Sequence, residues 1–91
     1  MADDESVERE FTVRGELGLH ARPAGRFVSQ AGRFESEISV ARGDDWVSGG
    51  SVRSILSLAA GPGTVLRIRA VGADAGEAVA TLGKLLESPE D

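Results

Sequence analysis

Apolar and polar residues alternate in four short stretches of the chain, and such alternation predicts strands with one buried face. The stretches are residues 7–14, 34–40, 46–48 and 64–71. Arg9 interrupts the otherwise apolar side of the first stretch. Residues 43–45, Gly-Asp-Asp, form a predicted turn that joins the second and third stretches into a hairpin.

Three further stretches place apolar residues three or four positions apart, which predicts amphipathic helices. The first helix begins beside His20 and ends at Gly32. The second begins at Ser51, a preferred N-cap residue, and ends at the Gly-Pro-Gly turn of residues 61–63. Asp74 is the predicted N-cap of the third helix.

The predicted order is strand, helix, strand, strand, helix, strand, helix. Because each element has one apolar face, the economical packing is a four-stranded antiparallel sheet covered on one side by three helices. The fold class is therefore α+β, with the order βαββαβα. We expect residues 7–87 to form this domain, with an acidic tail at 1–6 and a second tail at 88–91.

The composition is that of one small globular domain: 91 residues, 41% of them hydrophobic and 27% charged. No apolar run is long enough to cross a membrane, and the acidic start lacks the apolar segment of a signal peptide. The chain has no cysteine, which excludes disulfides and thiolate metal sites and fits a cytoplasmic location. The net charge of −5 argues against binding to nucleic acid or to anionic lipid.

The single histidine, His20, is the strongest candidate for chemistry because it lies at the N-terminal edge of the first predicted helix. Backbone N–H groups lack helical partners there and the helix dipole is positive, so the position disfavours a protonated imidazole and favours a bound anion. A neutral imidazole is a nucleophile, and a phosphate attached to it would lie among backbone donors. Arg22 adds a cation matched to phosphate oxygens, and Pro23 fits the first helical turn.

Basic residues gather on or near this first helix, although the chain as a whole is acidic. They are Arg14, Arg22, Arg26 and Arg33. Two interpretations are open: an ordinary solvated helix face, or a basic rim around His20 that meets acidic partner proteins.

Residues 18–24, Gly-Leu-His-Ala-Arg-Pro-Ala, resemble the active-site signature of the HPr family, the histidine-containing phosphocarriers of the bacterial phosphoenolpyruvate:sugar phosphotransferase system. The resemblance continues through Ser51, residues 56–58, the turn at 61–63 and residues 72–74, so it covers nearly the whole chain. It implies the open-faced sandwich of that family, which has the element order predicted above.

This resemblance implies a role for His20 as the phosphoryl acceptor. Enzyme I, charged by phosphoenolpyruvate, would pass a phosphoryl group to its Nδ1, and the carrier would pass the group on to a IIA-type domain. Arg22 would steady the phosphate, together with the backbone N–H groups of Ala21 and Arg22. Such a protein is a stoichiometric carrier rather than an enzyme, and we expect a monomer with no metal and no cofactor besides the transient phosphoryl group.

Ser51 matches the serine that an HPr kinase phosphorylates in some bacteria, and a phosphoserine is electrostatically favoured at a helix N-terminus. Gly50 stands where the family usually has a basic residue, and Arg53 and Ser54 interrupt a patch that is otherwise more apolar. Ser51 is therefore either a regulatory site or only an N-cap. The residues expected to dock partner proteins, some of them shared with the core, are Val52, Ile55, Leu56 and Arg26.

Three alternatives to a sugar-pathway carrier are open. A regulatory paralogue could keep the fold and bind other proteins without relaying phosphate, although the retention of His20 disfavours this. A nitrogen-type phosphotransferase carrier would differ only in its pathway. Residues 15–18 satisfy the GXXG pattern of KH nucleic-acid-binding domains, but the acid within that pattern and the net charge oppose such a function.

Overall fold

The computed structural model describes residues 5–88 and confirms the predicted order of elements. The strands are β1 (Glu5–Thr12), β2 (Glu37–Arg42), β3 (Asp45–Ser48) and β4 (Val65–Gly72). The helices are α1 (Ala21–Ala31), α2 (Val52–Ser57) and α3 (Ala75–Leu86). Residues 1–4 and 89–91, which make up most of the two predicted tails, lie outside the described residues.

The four strands form one antiparallel sheet in the order β1-β4-β2-β3. In the centre of the sheet Ile68 lies between Arg9 of β1 and Val40 of β2. One face of the sheet packs against the helices, which confirms the α+β open-faced sandwich. The largest fully buried side chains of this core are Phe27, Ile55, Leu66, Ile68, Leu82, Val40 and Val79.

Several element boundaries differ from those predicted by the pattern. β1 begins at Glu5, because Glu5 and Ser6 pair with Gly72 and Val71 of β4, so these two residues do not belong to the predicted tail. α2 is shorter than its apolar spacing suggests and ends at Ser57, four residues before the Gly-Pro-Gly turn begins. The first difference arises from pairing with a distant strand, which local periodicity does not report. The second arises at Ala59, whose positive φ of 49° directly after the C-cap residue Leu58 ends the helix.

Arg9, the residue that interrupts the apolar side of β1, is exposed although it lies in the centre of a strand. Its guanidinium lies 5.4 Å from the centre of the Phe11 ring, which is a cation–π contact. A long arginine stem can cover apolar surface while its charged end stays in water. The strand therefore tolerates arginine at a position where the pattern predicts an apolar residue.

The sheet face opposite the helices is covered by charged side chains arranged around one tryptophan. The guanidinium groups of Arg67 and Arg69 lie 5.1 Å and 4.6 Å from the Trp46 ring, and both pair with Glu8 at 3.1 Å and 3.2 Å. Trp46 lies opposite Ala41, which is fully buried even though it is on this face. The cluster shields the open side of the sheet from water without a second layer of helices.

Asp74 occupies the N-cap position of α3 but makes no cap hydrogen bond with its own helix, so the predicted capping role is wrong. Its carboxylate instead accepts hydrogen bonds from the Glu35 N–H at 2.9 Å, the Ser36 N–H at 3.0 Å and the Ser36 hydroxyl at 2.6 Å. These bonds hold the loop before β2 against the start of α3, which explains why β2 begins at Glu37 rather than at residue 34. The Ser36 hydroxyl, followed by the Glu35 N–H, holds the pKa of Asp74 below its usual value of 3.8.

Replacing Asp74 by Asn should lower the free energy of unfolding at neutral pH. Because the folded pKa of Asp74 lies below the unfolded value, the carboxylate stabilises the fold above that unfolded value and loses its contribution as the pH falls through the folded pKa. The difference between the wild type and Asp74→Asn should therefore shrink below about pH 4. Urea unfolding of both proteins, followed by circular dichroism from about pH 7 to about pH 2.5, measures this difference in the free energy of unfolding. Asp44→Asn, at an exposed turn residue, is the matched control, and a gap that stays constant at low pH would contradict this explanation.

Gly83 permits the ring of Phe11 to lie directly on α3, since a Cβ at that position would overlap the ring. Gly83→Ala should therefore destabilise the fold by about 1–3 kcal/mol through overpacking, in spite of the better helix propensity of alanine. Gly76→Ala in the same helix meets no atom within 4 Å and should be neutral or stabilising by about 0.5–1 kcal/mol. Denaturant unfolding measures the change in unfolding free energy for both variants. Equal changes in the two variants would contradict the overpacking expected at Gly83.

Candidate functional site

His20 lies immediately before α1, in an extended conformation with φ −85° and ψ −167°. Its side chain makes no cap hydrogen bond with the helix, which excludes an ordinary helix-capping histidine. The ring nitrogen Nε2 is buried, whereas the residue as a whole is partly exposed. A reacting group that approaches from solvent therefore cannot reach Nε2.

The first turn of α1 presents a small set of backbone donors beside His20. The Ala24 N–H donates to the His20 carbonyl at 2.9 Å, and Pro23 has no N–H to offer. The N–H groups of Ala21 and Arg22 are therefore the donors of this turn that have no acceptor within the helix. They lie at the positive end of the helix dipole, where a phosphate group is stabilised.

Arg22 is exposed on the first turn of α1, two residues after His20. Among residues 5–88, no hydrogen bond or ion pair holds its side chain. The guanidinium is therefore available to an incoming anion. Arg26 follows one turn later on the same side of the helix and is also exposed, so two of the four arginines noted in the sequence share one exposed helix face. Exposure alone fits both interpretations, and a basic rim that meets acidic partners stays a prediction.

Backbone contacts with the turn after α2 fix the loop that leads into His20. The Leu19 N–H donates to the Ala60 carbonyl at 2.8 Å, and the Leu19 side chain is buried. Gly18 has φ +73°, and a Cβ there would lie 2.6 Å from the Ala60 oxygen and 2.7 Å from the Gly61 Cα. A larger residue would push the two backbones apart, so glycine is required at this position for steric as well as conformational reasons.

Ser51 is the N-cap of α2, as predicted, and its hydroxyl accepts a hydrogen bond from the Ser54 N–H at 3.1 Å. This bond accounts for a serine at the position without any regulatory role. Phosphorylation of Ser51 by a kinase stays a prediction.

The predicted docking residues divide into exposed and buried positions. Val52 and Leu56 are exposed, at 36% and 40% of their surface, and remain available to a partner protein. Ile55 is fully buried, so its predicted docking role is wrong and it belongs to the core between α2 and the sheet. Leu17, which is 68% exposed in the loop before His20, is not among the docking residues predicted from the sequence. An apolar residue between two polar or small neighbours, three positions before the histidine, is the signal that could have identified it.

The GXXG pattern at residues 15–18 does not form a nucleic-acid clamp. Both of its glycines are buried, and Gly18 packs against the turn after α2. The pattern is therefore accounted for by the structure of the loop. Within the part of the chain that the structure describes, no group of three or more His, Cys, Asp or Glu residues could bind a metal ion. No helix there is long and apolar enough to cross a membrane.

Comparison with known proteins assigns this arrangement to a family. A family model described as the PTS HPr component phosphorylation site matches residues 7–88. The chain belongs to the HPr family. The chain is a phosphocarrier of the phosphotransferase system, like the HPr proteins that it matches.

Individual relatives match over almost their entire length. The phosphocarrier protein HPr of Pseudomonas putida is 40% identical over 81 residues, which cover 88% of this chain and 90% of that protein. The HPr of Neisseria meningitidis serogroup A is 36% identical over 80 residues, with 88% and 90% covered. The crystal structure of an HPr from Bacillus anthracis matches with a TM-score of 0.86 at 36% identity, covering 89% of this chain and 96% of that one.

Proposed function

We propose that His20 carries the phosphoryl group, accepting it on Nδ1 from phosphorylated enzyme I and passing it to a IIA-type domain. The observation that carries this proposal is the position of His20 beside the two backbone donors of Ala21 and Arg22, with Nε2 buried. Burial of Nε2 directs the reaction to the other ring nitrogen. The proposal also rests on the family resemblance of residues 18–24.

In the transfer step, the bond between phosphorus and its donor atom on enzyme I breaks as the bond between phosphorus and Nδ1 of His20 forms. Nδ1 attacks through its lone pair, so the neutral ring carries its proton on Nε2. The N–H groups of Ala21 and Arg22 and the Arg22 guanidinium stabilise the charge on the phosphoryl oxygens. The reverse sequence of bond changes delivers the group to the acceptor domain.

The exposure of the site suits a carrier that must release its phosphate. Arg22 is held by no ion pair or hydrogen bond within residues 5–88, so its contribution is that of a mobile, solvated cation rather than a rigid clamp. Tight enclosure of the phosphate would slow the second transfer. We therefore propose a stoichiometric carrier, not an enzyme that turns over a substrate. We also propose a cytoplasmic location, since the phosphoenolpyruvate that supplies such a relay is an intracellular metabolite.

A purely regulatory role is the second candidate, in which the chain would bind partner proteins without carrying phosphate. The retained His20 and the intact helix N-terminus support the carrier instead, because a binding protein needs neither. A nitrogen-type pathway would use the same chemistry with different acceptor domains.

His20→Ala should abolish phosphorylation while the fold is kept, because the residue lies at the edge of the core. The protein is incubated with phosphoenolpyruvate and an active cognate enzyme I, and its intact mass is measured. Wild-type protein should gain one acid-labile phosphoryl group that maps to His20, and His20→Ala should gain none. Circular dichroism and cooperative unfolding verify the fold of the variant. Phosphorylation of His20→Ala, or none of the wild type by an active enzyme I, would overturn the proposal.

Arg22→Ala should slow phosphoryl transfer by roughly 10-fold, which equals about 1.4 kcal/mol of transition-state stabilisation, without preventing it. The effect should fall on the rate at saturating phosphorylated enzyme I, and Arg22→Lys should recover part of it because a cation is kept. Rapid-quench kinetics measure the transfer rates of Arg22→Ala and Arg22→Lys. Arg33→Ala, beyond the C-terminal end of α1, is the control for loss of one positive charge. An equal loss in Arg22→Ala and Arg33→Ala would show that only the net charge matters.

A further inference from the structure

The turn after α2 contains a strained residue. Ala59 has φ +49°, and among residues 5–88 it is the non-glycine residue with a positive φ. Glycine adopts this left-handed conformation readily, whereas a Cβ makes it unfavourable. Something in the surrounding structure must therefore hold the turn in place.

Arg42, the last residue of β2, provides this support from a distant part of the chain. Its Nη1 atom donates to the Leu58 carbonyl at 3.0 Å and to the Ala59 carbonyl at 2.8 Å. Carbonyl groups at the C-terminal end of a helix lack helical donors and carry partial negative charge. The last turn of α2 has no basic residue of its own, so the guanidinium of Arg42 supplies the missing cation and donor.

The same turn fixes the backbone at the active site. Ala60 follows Ala59 directly, is 5% exposed, and accepts the Leu19 N–H at 2.8 Å. Leu19 precedes His20. Because the dihedral angles of Ala59 set the direction in which the chain continues into Ala60, they affect where the Ala60 carbonyl lies and hence where the Leu19 N–H is held.

We propose that Arg42 is a positioning residue for phosphoryl transfer. Arg42 holds the left-handed turn at Ala59. This turn then holds Leu19 and the backbone that leads into His20. This inference rests on the proposed role of His20, but its structural part concerns the chain without phosphate. Arg42 therefore acts on the reaction through backbone geometry, without touching the phosphoryl group.

The decisive test combines Arg42→Ala with Ala59→Gly. Arg42→Ala should lower the rate of His20 phosphorylation at saturating phosphorylated enzyme I by about tenfold, with little change in the half-saturating concentration. Ala59→Gly alone should leave the rate unchanged, because glycine adopts the turn without support. The double variant should return to within about twofold of the wild-type rate, since the turn no longer depends on the arginine.

Amide hydrogen exchange at Leu19, followed by NMR in the protein without phosphate, tests the structural part independently of activity. Exchange should be faster in Arg42→Ala and return to the wild-type rate in the double variant, because the bond to the Ala60 carbonyl is lost and then regained. If the wild type is never phosphorylated on His20, the proposed function fails, while the exchange data still decide the link between Arg42 and Leu19.

Arg69→Ala is the matched control, since Arg69 contacts Glu8 and Trp46 on the open face of the sheet and not the turn. Its transfer rate and its Leu19 exchange should be unchanged. Should Arg42→Ala fail to fold, Arg42→Lys serves in its place and should give an intermediate loss that Ala59→Gly repairs. A folded Arg42→Ala with wild-type transfer and exchange would overturn the proposal. Loss of rate that Ala59→Gly does not repair would also overturn it, because the arginine would then act through its charge.

Discussion

The close backbone approach between the loop before α1 and the turn after α2 is the constraint on which the site depends. Gly18 packs against the Ala60 oxygen and the Gly61 Cα, and the Leu19 N–H bonds to Ala60. This contact ends one residue before His20, at the point where α1 begins. The backbone that leads into the helix N-terminus is therefore held in place, which the proposed anion-binding role of its N–H donors requires.

Charge is distributed so that the reacting end of the molecule differs from the chain as a whole. The net charge is −5, yet α1 carries Arg22 and Arg26 and no acidic residue. On the open face of the sheet, by contrast, the arginines are paired with Glu8 and stacked on Trp46. The arginines on the open face of the sheet are neutralised by Glu8, whereas those beside His20 are solvated. This difference supports the proposal that the surface around His20 attracts an acidic partner or a phosphoryl group.

Local patterns in the sequence were sufficient for the element order, the position of His20 at a helix start and the N-cap at Ser51. These features depend on residues close together in the chain. Asp74 was assigned to its own helix because its spacing fits a cap, but its partners lie 38 and 39 residues away, at Ser36 and Glu35. The burial of Ile55 and the exposure of Leu17 likewise depend on which elements pack together, and helical or loop periodicity does not report that.

The strain at Ala59 shows how a chain can keep a functional turn without the residue that suits it best. Glycine would adopt φ +49° at little steric cost, but it would also leave the unfolded chain more conformational freedom. Alanine combined with a guanidinium from β2 reaches the same backbone geometry through two hydrogen bonds across the fold. On the proposal that Arg42 holds this turn, the geometry of the loop at His20 depends on the pairing of β2 with the rest of the sheet, and the proposed acceptor site forms only when the whole domain is folded.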